Sequence, residues 1–403
     1  MLATRSGRYG IFWKVIFMAA ATTGCTTTQL ITTDFARDPR PAGWHYVCPP
    51  EKGRDLPHTG EWKAPGDGDD RGVLSASTGY WASPAFAVQP LRYYKATYDI
   101  DARGGPYVGY VWVMFEDAKG LSLTADNCTG YDATEGWAGQ SMCFRAPPRA
   151  VRAVIRFHAH QGSHMRVSRV VVEPATAAGV RSWIDELGGT LHPNGYRPAP
   201  DRLDLLPRAT AELAAGGNLR VVMLGDSVMN DTANSLYEVV VEHAYPRANI
   251  DVISSVSGGG GCWLYKDAVP EWILSYEPDL LMIGGISARD DIDAIRAVVE
   301  QTRAGSHAEV MLLTGPAGKE GDPTSKAAWT EHVSVAGDGF HARLKRLAGE
   351  LRCEFVDLAT PWGEHVTSSG KPYAHFMRDE VHPNSRGKVM LGRFLAAHFA
   401  PKK

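Results

Sequence analysis

The sequence of 403 residues lacks three features that would assign it to common functional classes. It has no strong excess of either charge, because 42 Lys and Arg residues face 45 Asp and Glu residues, for a net charge of −3. We therefore expect no nucleic-acid partner, since such proteins usually carry a basic patch. Beyond the N-terminal region, no segment reaches the roughly 18 apolar residues of a membrane-spanning helix. The six cysteines form no C-x-x-C pair and no histidine cluster has metal-ligand spacing, so we expect neither a metal nor another cofactor.

The first 25 residues have the pattern of an export signal. Three basic residues precede a short apolar stretch over residues 15–21, and small residues then lead to Cys25. This order is typical of a segment that directs secretion. Gly24-Cys25 resembles a bacterial lipoprotein processing site, which would place a lipid on Cys25 as the one membrane contact; the alternative is an ordinary signal peptide cleaved near Ala21. Both predict an exported protein: periplasmic, anchored to the outer membrane, or extracellular.

Residues 35–175 are rich in β-branched and aromatic residues and in turn signals. Strand patterns cover residues 92–100, 107–115, 150–157 and 165–172, with no helical periodicity between them. Short strands separated by turns are typical of two packed antiparallel sheets. We predict an all-β domain here, a β-sandwich of jelly-roll type.

The pattern changes to alternating strands and helices after a predicted connector over residues 176–217, which begins with a short helical stretch around residues 180–187. Near-continuous apolar strands are predicted at 219–224, 250–255, 279–283, 309–314 and 354–358, with helices at 228–243, 291–303, 325–351 and 385–399. Strands of this kind belong to a parallel sheet covered on both faces. Residues 218–403 are therefore predicted to form a three-layer α/β domain.

Two short motifs in this domain carry residues suited to nucleophilic catalysis. Gly225-Asp226-Ser227 ends the first strand, which places the Ser227 hydroxyl at a helix N-terminus, where N–H groups favour a developing oxyanion. Asp379-x-x-His382 precedes the last helix, so one loop can carry a general base and the carboxylate that orients it. Taken singly, the first motif is also a helix cap and the second an ordinary surface loop. Their joint placement predicts a Ser227–His382–Asp379 triad.

These two motifs resemble the first and last conserved blocks of the SGNH/GDSL hydrolase superfamily. The resemblance covers about residues 219–399 and implies a flavodoxin-like domain with serine esterase activity. It also implies an oxyanion hole made by the N–H groups of Ser227 and of Gly258, in the glycine run after the second strand. The third block falls on Gly285-Ile286-Ser287, so a serine stands where the family has asparagine. Either the Ser287 hydroxyl or the Asn230 amide would then be the third donor.

The β-rich domain contains an unusual number of aromatic residues. They either fill its core or include exposed rings that stack on sugars, as in the carbohydrate-binding modules that this domain loosely resembles. We therefore expect an acylated carbohydrate substrate and hydrolysis of its acyl esters, in particular acetyl esters. Two alternatives stay open, an O-acyltransferase acting on a glycan and an inactive surface carbohydrate-binding protein, as does the oligomeric state. The aromatic residues are Trp44, Trp62, Tyr80, Trp81, Tyr93, Tyr94, Tyr107, Tyr110, Trp112 and Trp137.

Overall fold

The computed structural model describes residues 29–35, 43–49, 56–66, 71–193, 195–316, 322–324 and 329–402. The predicted export signal, including Cys25, lies outside the described residues. Over the described ranges, no helix combines the length and apolar character needed to cross a bilayer.

The N-terminal part consists of antiparallel strands in two sheets. Their side chains alternate as expected for strands with one face in a core: in Gly109–Glu116, every second residue from Gly109 to Phe115 is buried, and the residues between them are half-buried. The strands are β1 (Ile31–Asp34), β2 (His45–Val47), β3 (Glu61–Lys63), β4 (Val73–Ala76), β5 (Tyr80–Ala82), β6 (Phe86–Ala87), β7 (Tyr93–Arg103), β8 (Gly109–Glu116), β9 (Asn127–Gly130), β10 (Ala138–Arg145), β11 (Arg152–Ala159) and β12 (His164–Ala175).

The two sheets enclose one hydrophobic core. Sheet I has the order β10-β7-β12-β4-β3, with β1 also on β12, and sheet II has the order β2-β5-β11-β8-β9, with β6 also on β11. Ile100 of sheet I and Val113 and Phe157 of sheet II belong to the same cluster and are fully buried. β1 pairs with β12, so the antiparallel part begins before residue 35, the predicted start of the domain.

The C-terminal part is a parallel sheet with helices on both faces. Sheet III has the order β14-β13-β15-β16-β17, and all its pairings are parallel. Its strands are β13 (Asn218–Gly225), β14 (Asn249–Val256), β15 (Leu280–Ile283), β16 (Glu309–Leu313) and β17 (Glu354–Val356). The helices are α1 (Ala177–Gly189), α2 (Pro207–Ala215), α3 (Ser227–Ala233), α4 (Tyr237–Ala244), α5 (Cys262–Tyr265), α6 (Val269–Trp272), α7 (Ile292–Gly305), α8 (Trp329–Val333), α9 (Phe340–Leu351), α10 (Ala359–Ser368) and α11 (Ser385–Phe399), with 3₁₀ turns at Leu274–Tyr276 and Tyr373–His375. The predicted combination of a parallel α/β part with antiparallel sheets is thus confirmed.

The central strand β13 contributes to two separate cores. Val221 and Met223 belong to the cluster that includes residues of α1, α2, α4, α10 and α11. Val222 and Leu224 belong to the cluster on the other face, with residues of α7 and α9. Because β13 is covered on both faces, its sequence is almost continuously apolar. The strand order also reverses at β13, which leaves a crevice at the carboxyl ends of β13, β14 and β15.

Three helical predictions differ from the structure. The predicted connector contains the predicted helical stretch around residues 180–187, which is part of α1, and also an unpredicted helix, α2. Val180 and Ile184 of α1 and Leu213 of α2 are buried in the α/β core. The predicted helix 228–243 is two helices, because Leu236 has a left-handed backbone (φ 58°). The predicted helix 325–351 is likewise divided into α8 and α9, and the turn between them contains Gly337 at φ 77°.

Candidate active site

Ser227 begins α3 directly after β13, at the crevice formed by the strand order. The turn needs glycine at 225, because a Cβ there would lie 2.3 Å from the Gly284 carbonyl oxygen and 2.7 Å from the Met229 Cβ. The backbone of β13 therefore approaches the end of β15 closely, and the chain turns into α3 at once. This places the hydroxyl of Ser227 at the N-terminus of α3, as predicted.

The Asp226 carboxylate holds two loops of the crevice together. One oxygen accepts the N–H groups of Val228 and Met229 at 2.9 and 3.1 Å, which caps α3. The other oxygen accepts the N–H groups of Ile286 and Ser287, both at 2.7 Å. Asp226 is only 1% exposed. Charged hydrogen bonds of this kind are stronger than neutral ones, so Asp226 fixes the loop after β15 against the serine turn.

A pinched loop over residues 377–383 carries the two other predicted triad members. Met377 and Pro383 form an isolated antiparallel bridge, and the Arg378 N–H donates to the His382 carbonyl at 2.9 Å. Within the loop, one Asp379 oxygen accepts the N–H groups of Val381 and His382, both at 2.8 Å. Asp379 therefore organises the turn that presents the His382 ring.

The structure brings the three predicted side chains together. The His382 Nε2 atom lies 2.8 Å from the Ser227 Oγ atom, and the Nδ1 atom lies 2.9 Å from each Asp379 oxygen. An ionised carboxylate only accepts hydrogen bonds, so Nδ1 carries the ring proton and Nε2 accepts from the serine hydroxyl. The chain separation between Ser227 and His382 is 155 residues, which the sheet topology closes.

Asp379 is held in the charged form. Burial by itself would raise the pKa of its carboxyl. The hydrogen bond and electrostatic attraction of His382, the nearby Arg378 guanidinium and the Val381 N–H outweigh burial and lower the pKa to about 2. The carboxylate is thus ionised at neutral pH and can stabilise a positively charged imidazole ring.

Two backbone N–H groups next to Ser227 are available to an oxyanion. Among the described residues, neither the N–H of Ser227 nor that of Gly258 has a hydrogen-bond partner. They follow neighbouring strands, because Gly225 pairs with Val256 at the ends of β13 and β14. A Cβ at Gly258 would meet no atom within 4 Å, so this position is open. The role of these two N–H groups in an oxyanion hole stays a prediction.

The Asn230 amide, one of two predicted third donors, is already engaged. Its Nδ2 atom donates to the carbonyl and carboxylate oxygens of Asp126 at 3.0 and 2.8 Å. Its Oδ1 atom accepts from Ser254 and Asn234. Asn230 therefore joins α3 to the loop before β9 and is not free to serve an oxyanion. The Ser287 N–H is also used, by Asp226, which leaves the Ser287 hydroxyl as the group that keeps the predicted role.

Sequence reasoning missed a buried charge cluster directly behind the triad loop. The Arg378 Nη1 atom lies 2.8 Å from both oxygens of Asp231, and the Lys388 Nζ atom lies 3.1 Å from one of them. Both cations also donate to the Cys128 carbonyl of β9, and Lys388 donates to the Asn127 side chain. Sheet II, α3, α11 and the loop over residues 377–383 meet at this point. The sequence signal for this cluster is the presence of charged residues, Asp231 in α3 and Lys388 in α11, among residues that are otherwise mostly buried.

The aromatic residues after the glycine run divide between packing and the crevice. Tyr265 is fully buried; its hydroxyl donates to the Gly225 carbonyl and accepts the Ser257 N–H at 2.7 Å. Tyr265 therefore links the carboxyl end of β13 to the residue that follows β14. Trp263 is half-buried, donates to the Ser287 carbonyl at 3.0 Å, and is covered by the Arg289 guanidinium. Of the described residues, no group of three or more His, Cys, Asp or Glu could hold a metal ion.

Comparison with known proteins gives only structural likenesses. No protein-family profile and no curated protein matches the chain. A two-domain esterase active on acetylated mannans matches with 16% identity and a TM-score of 0.40, over 49% of this chain and 52% of its own. The chain thus spans about half the length of that protein. An acetylxylan esterase from Geobacillus stearothermophilus matches with 20% identity and a TM-score of 0.36, over 46% of this chain and 95% of its own. These neighbours are carbohydrate esterases of low identity to this chain.

Proposed function

We propose that this protein is a serine esterase that hydrolyses acyl esters, in particular acetyl esters, on a glycan. One observation carries the proposal: the His382 ring lies between the Ser227 hydroxyl and the Asp379 carboxylate at 2.8 and 2.9 Å. A serine hydroxyl is a weak nucleophile unless a base removes its proton. An imidazole oriented by an ionised carboxylate supplies that base.

In the proposed reaction, the Ser227 oxygen attacks the ester carbonyl carbon while His382 Nε2 takes the serine proton. The carbonyl oxygen becomes an oxyanion that the N–H groups of Ser227 and Gly258 stabilise, together with the Ser287 hydroxyl. His382 then gives its proton to the departing sugar oxygen, which leaves an acyl group on Ser227. Water, activated by the same ring, attacks this acyl-enzyme, and the carboxylic acid and free serine are released. Asp379 stays ionised throughout and stabilises the charged ring.

The proposal keeps the exported location that residues 1–25 predict, with a lipid on Cys25 as one of its two forms. An external location is where a chain acting on polysaccharides would meet its substrate. The neighbours' substrates, acetylated mannans and acetylated xylo-oligosaccharides, are the first compounds to test.

The test measures acetate release from p-nitrophenyl acetate, acetylated xylan and acetylated glucomannan by the purified protein. We expect turnover that Ser227→Ala abolishes while the circular dichroism spectrum is unchanged. Ser275→Ala is the matched control, because the Ser275 hydroxyl only caps a turn, by donating to the Glu271 carbonyl on the surface. Esterase activity that persists in folded Ser227→Ala protein would rule out the serine mechanism.

A further inference from the structure

A cleft with a volume of about 800 Å³ lies between sheet II and the loop over residues 377–383, which we call the catalytic loop. One wall contains Tyr80, Tyr107, Tyr110 and His158 of the β-rich part, and the other is formed by residues 379–382 of the loop. The volume is within the range of roughly 300–1,000 Å³ that small-molecule sites occupy. The cleft reaches His382, whose ring contacts Ser227, so a molecule bound in it lies beside the proposed chemistry.

The aromatic wall is a cross-strand row on the outer face of sheet II. His158 of β11 is directly opposite Tyr80 of β5 on one side and Tyr110 of β8 on the other. The Tyr110 and His158 rings are stacked, with centroids 4.3 Å apart, and the Tyr80 ring is tilted against His158, with centroids 4.5 Å apart. These side chains alternate with core residues such as Phe157 and Val111, which are fully buried. The rings therefore point away from the sandwich core.

A buried polar atom in this row lacks a partner. His158 is 8% exposed, and its Nε2 atom has no hydrogen-bond partner within the described ranges. A buried polar group without a partner costs free energy, which a ligand hydroxyl at this position would recover. The row thus combines apolar aromatic surface with an unsatisfied hydrogen-bonding atom. Both features match a sugar ring, which has an apolar C–H face and hydroxyls at its edge.

The charge of the cleft selects against anionic ligands. No Lys or Arg is among the described residues that line it, whereas Asp379 and Glu380 contribute carboxylates. Burial, with the charges of Arg156 and His160, lowers the pKa of His158 to about 3, so this ring is neutral near pH 7. One cation of this wall, Arg156, lies over the Tyr80 ring, 4.8 Å from its centroid, and is not among the residues that line the cleft. A polymer of uronic acids would therefore meet carboxylates in the cleft itself.

We infer that sheet II is one wall of the substrate cleft and holds uncharged sugar rings of an acylated glycan on the Tyr80–His158–Tyr110 row and Tyr107. This inference rests on the proposed esterase function for its chemistry, but binding can be tested without catalysis. It gives the β-rich part a direct role beside the catalytic loop, in place of a separate tether to the polymer.

The first experiment compares two substrates in variants of the wall. For Tyr80→Ala and for Tyr107→Ala, we expect kcat/KM on acetylated xylo-oligosaccharides to fall roughly tenfold more than on p-nitrophenyl acetate, because only the larger substrate covers the rings. Trp137→Ala is the matched control, an aromatic residue that packs under Arg71 and Arg166 and is not among the residues lining the cleft. Equal loss on both substrates in folded variants, or no loss on either, would overturn the inference.

The second experiment measures binding to Ser227→Ala protein by calorimetry, and so does not depend on turnover. Acetylated xylo-oligosaccharides and manno-oligosaccharides are compared with acetylated oligogalacturonides of equal length. We expect at least one of the uncharged ligands to bind roughly tenfold more tightly than the uronate ligand. Absence of binding by both uncharged ligands, or equal binding of the uronate, contradicts the inference even if the serine mechanism stands. Conversely, loss of the serine mechanism alone leaves this binding result intact.

Discussion

Replacing Asp231 with asparagine tests the buried charge cluster behind the catalytic loop. Asp231 is the anion that both Arg378 and Lys388 contact, and the three side chains are 1%, 9% and 5% exposed. Asp231→Asn preserves the shape but leaves two buried cations facing each other. Removing one partner of a buried ion pair costs about 3–5 kcal/mol, so we expect a loss of at least this size. A typical domain has only about 5–15 kcal/mol of stability in total.

Replacing Lys388, one of the two cations of the cluster, should destabilise the protein less than replacing Asp231. Lys388→Met leaves Asp231 paired with Arg378 through both of its oxygens, at 2.8 Å. The change removes hydrogen bonds to the Asn127 side chain and the Cys128 carbonyl, and lost hydrogen bonds of this kind cost about 1–3 kcal/mol.

The stability of Asp231→Asn protein should depend on pH through Lys388. Burial already lowers the pKa of Lys388 against the attraction of Asp231. Without Asp231 that pKa falls further, so the unfolded state binds more protons than the folded one and the stability of Asp231→Asn should rise from pH 7 to pH 9.

Urea unfolding followed by circular dichroism at pH 7 and pH 9 measures these losses. Asp132→Asn is the matched control, because Asp132 pairs with Arg386 at the surface with its side chain 50% exposed, and such pairs contribute about 0–1 kcal/mol. The expected order of destabilisation is Asp231→Asn, then Lys388→Met, then Asp132→Asn. If Asp231→Asn costs no more than Asp132→Asn, or less than Lys388→Met, the account of this cluster is wrong.

Three further predictions concern the site and the cleft. Gly285→Ala should lower kcat on p-nitrophenyl acetate more than about tenfold, because residue 285 has φ +99° and an added Cβ would lie 2.5 Å from the Asp226 carboxylate. The control Gly349→Ala places its Cβ in open space and should leave kcat unchanged. Equal kcat values for the two variants would contradict this prediction. Asp379→Asn should lower kcat by roughly 10³–10⁴ with a native circular dichroism spectrum, and a loss below tenfold would count against the triad. Burial lowers the pKa of His158 to about 3, so between about pH 6.5 and pH 3 only the unfolded chain binds a proton at this residue, and the free energy of unfolding decreases as the pH falls. In His158→Phe protein, urea unfolding should therefore show a smaller decrease over this range, and a decrease equal to that of the unaltered protein would refute the prediction.

The catalytic loop and the serine turn could be predicted because each is a local pattern. A buried strand that ends in Gly225-Asp226-Ser227 sets the position of the hydroxyl, and three residues of spacing let Asp379 and His382 share one turn. Parallel-sheet topology then brings the two motifs to the same edge. Local sequence and a general rule of sheet architecture were therefore sufficient to place all three side chains.

Contacts between distant segments could not be read from the sequence. Asn230 appears free as a donor one turn after Ser227, but Asp126, 104 residues earlier in the chain, uses its amide. The contact between Arg378 and Asp231 spans 147 residues. No periodicity predicts which surface of the β-rich part meets the α/β part. The aromatic residues of the β-rich part consequently allowed two interpretations, core or sugar surface. In the structure, Trp81 and Tyr94 are buried in the core, whereas Tyr80 and Trp112 are half-buried.

The helical differences have local causes that a pattern of apolar residues does not reveal. Leu236 takes a left-handed conformation that only glycine adopts without strain. Apolar spacing continues through it, so the sequence predicts one helix where α3 and α4 form two. Similarly, the missed helix α2 has only nine residues and begins at Pro207, and its burial depends on the sheet that it covers.

The central claim is that His382 activates Ser227 as a nucleophile. Its most direct test is covalent labelling with a fluorophosphonate, which reacts with activated serines, followed by mass spectrometry of the peptides. We predict a single adduct on Ser227 in the unaltered protein and a labelling rate lower by roughly 10³-fold or more in folded His382→Ala protein. Labelling at another residue, or at Ser227 with an undiminished rate in the absence of the His382 ring, would contradict the account.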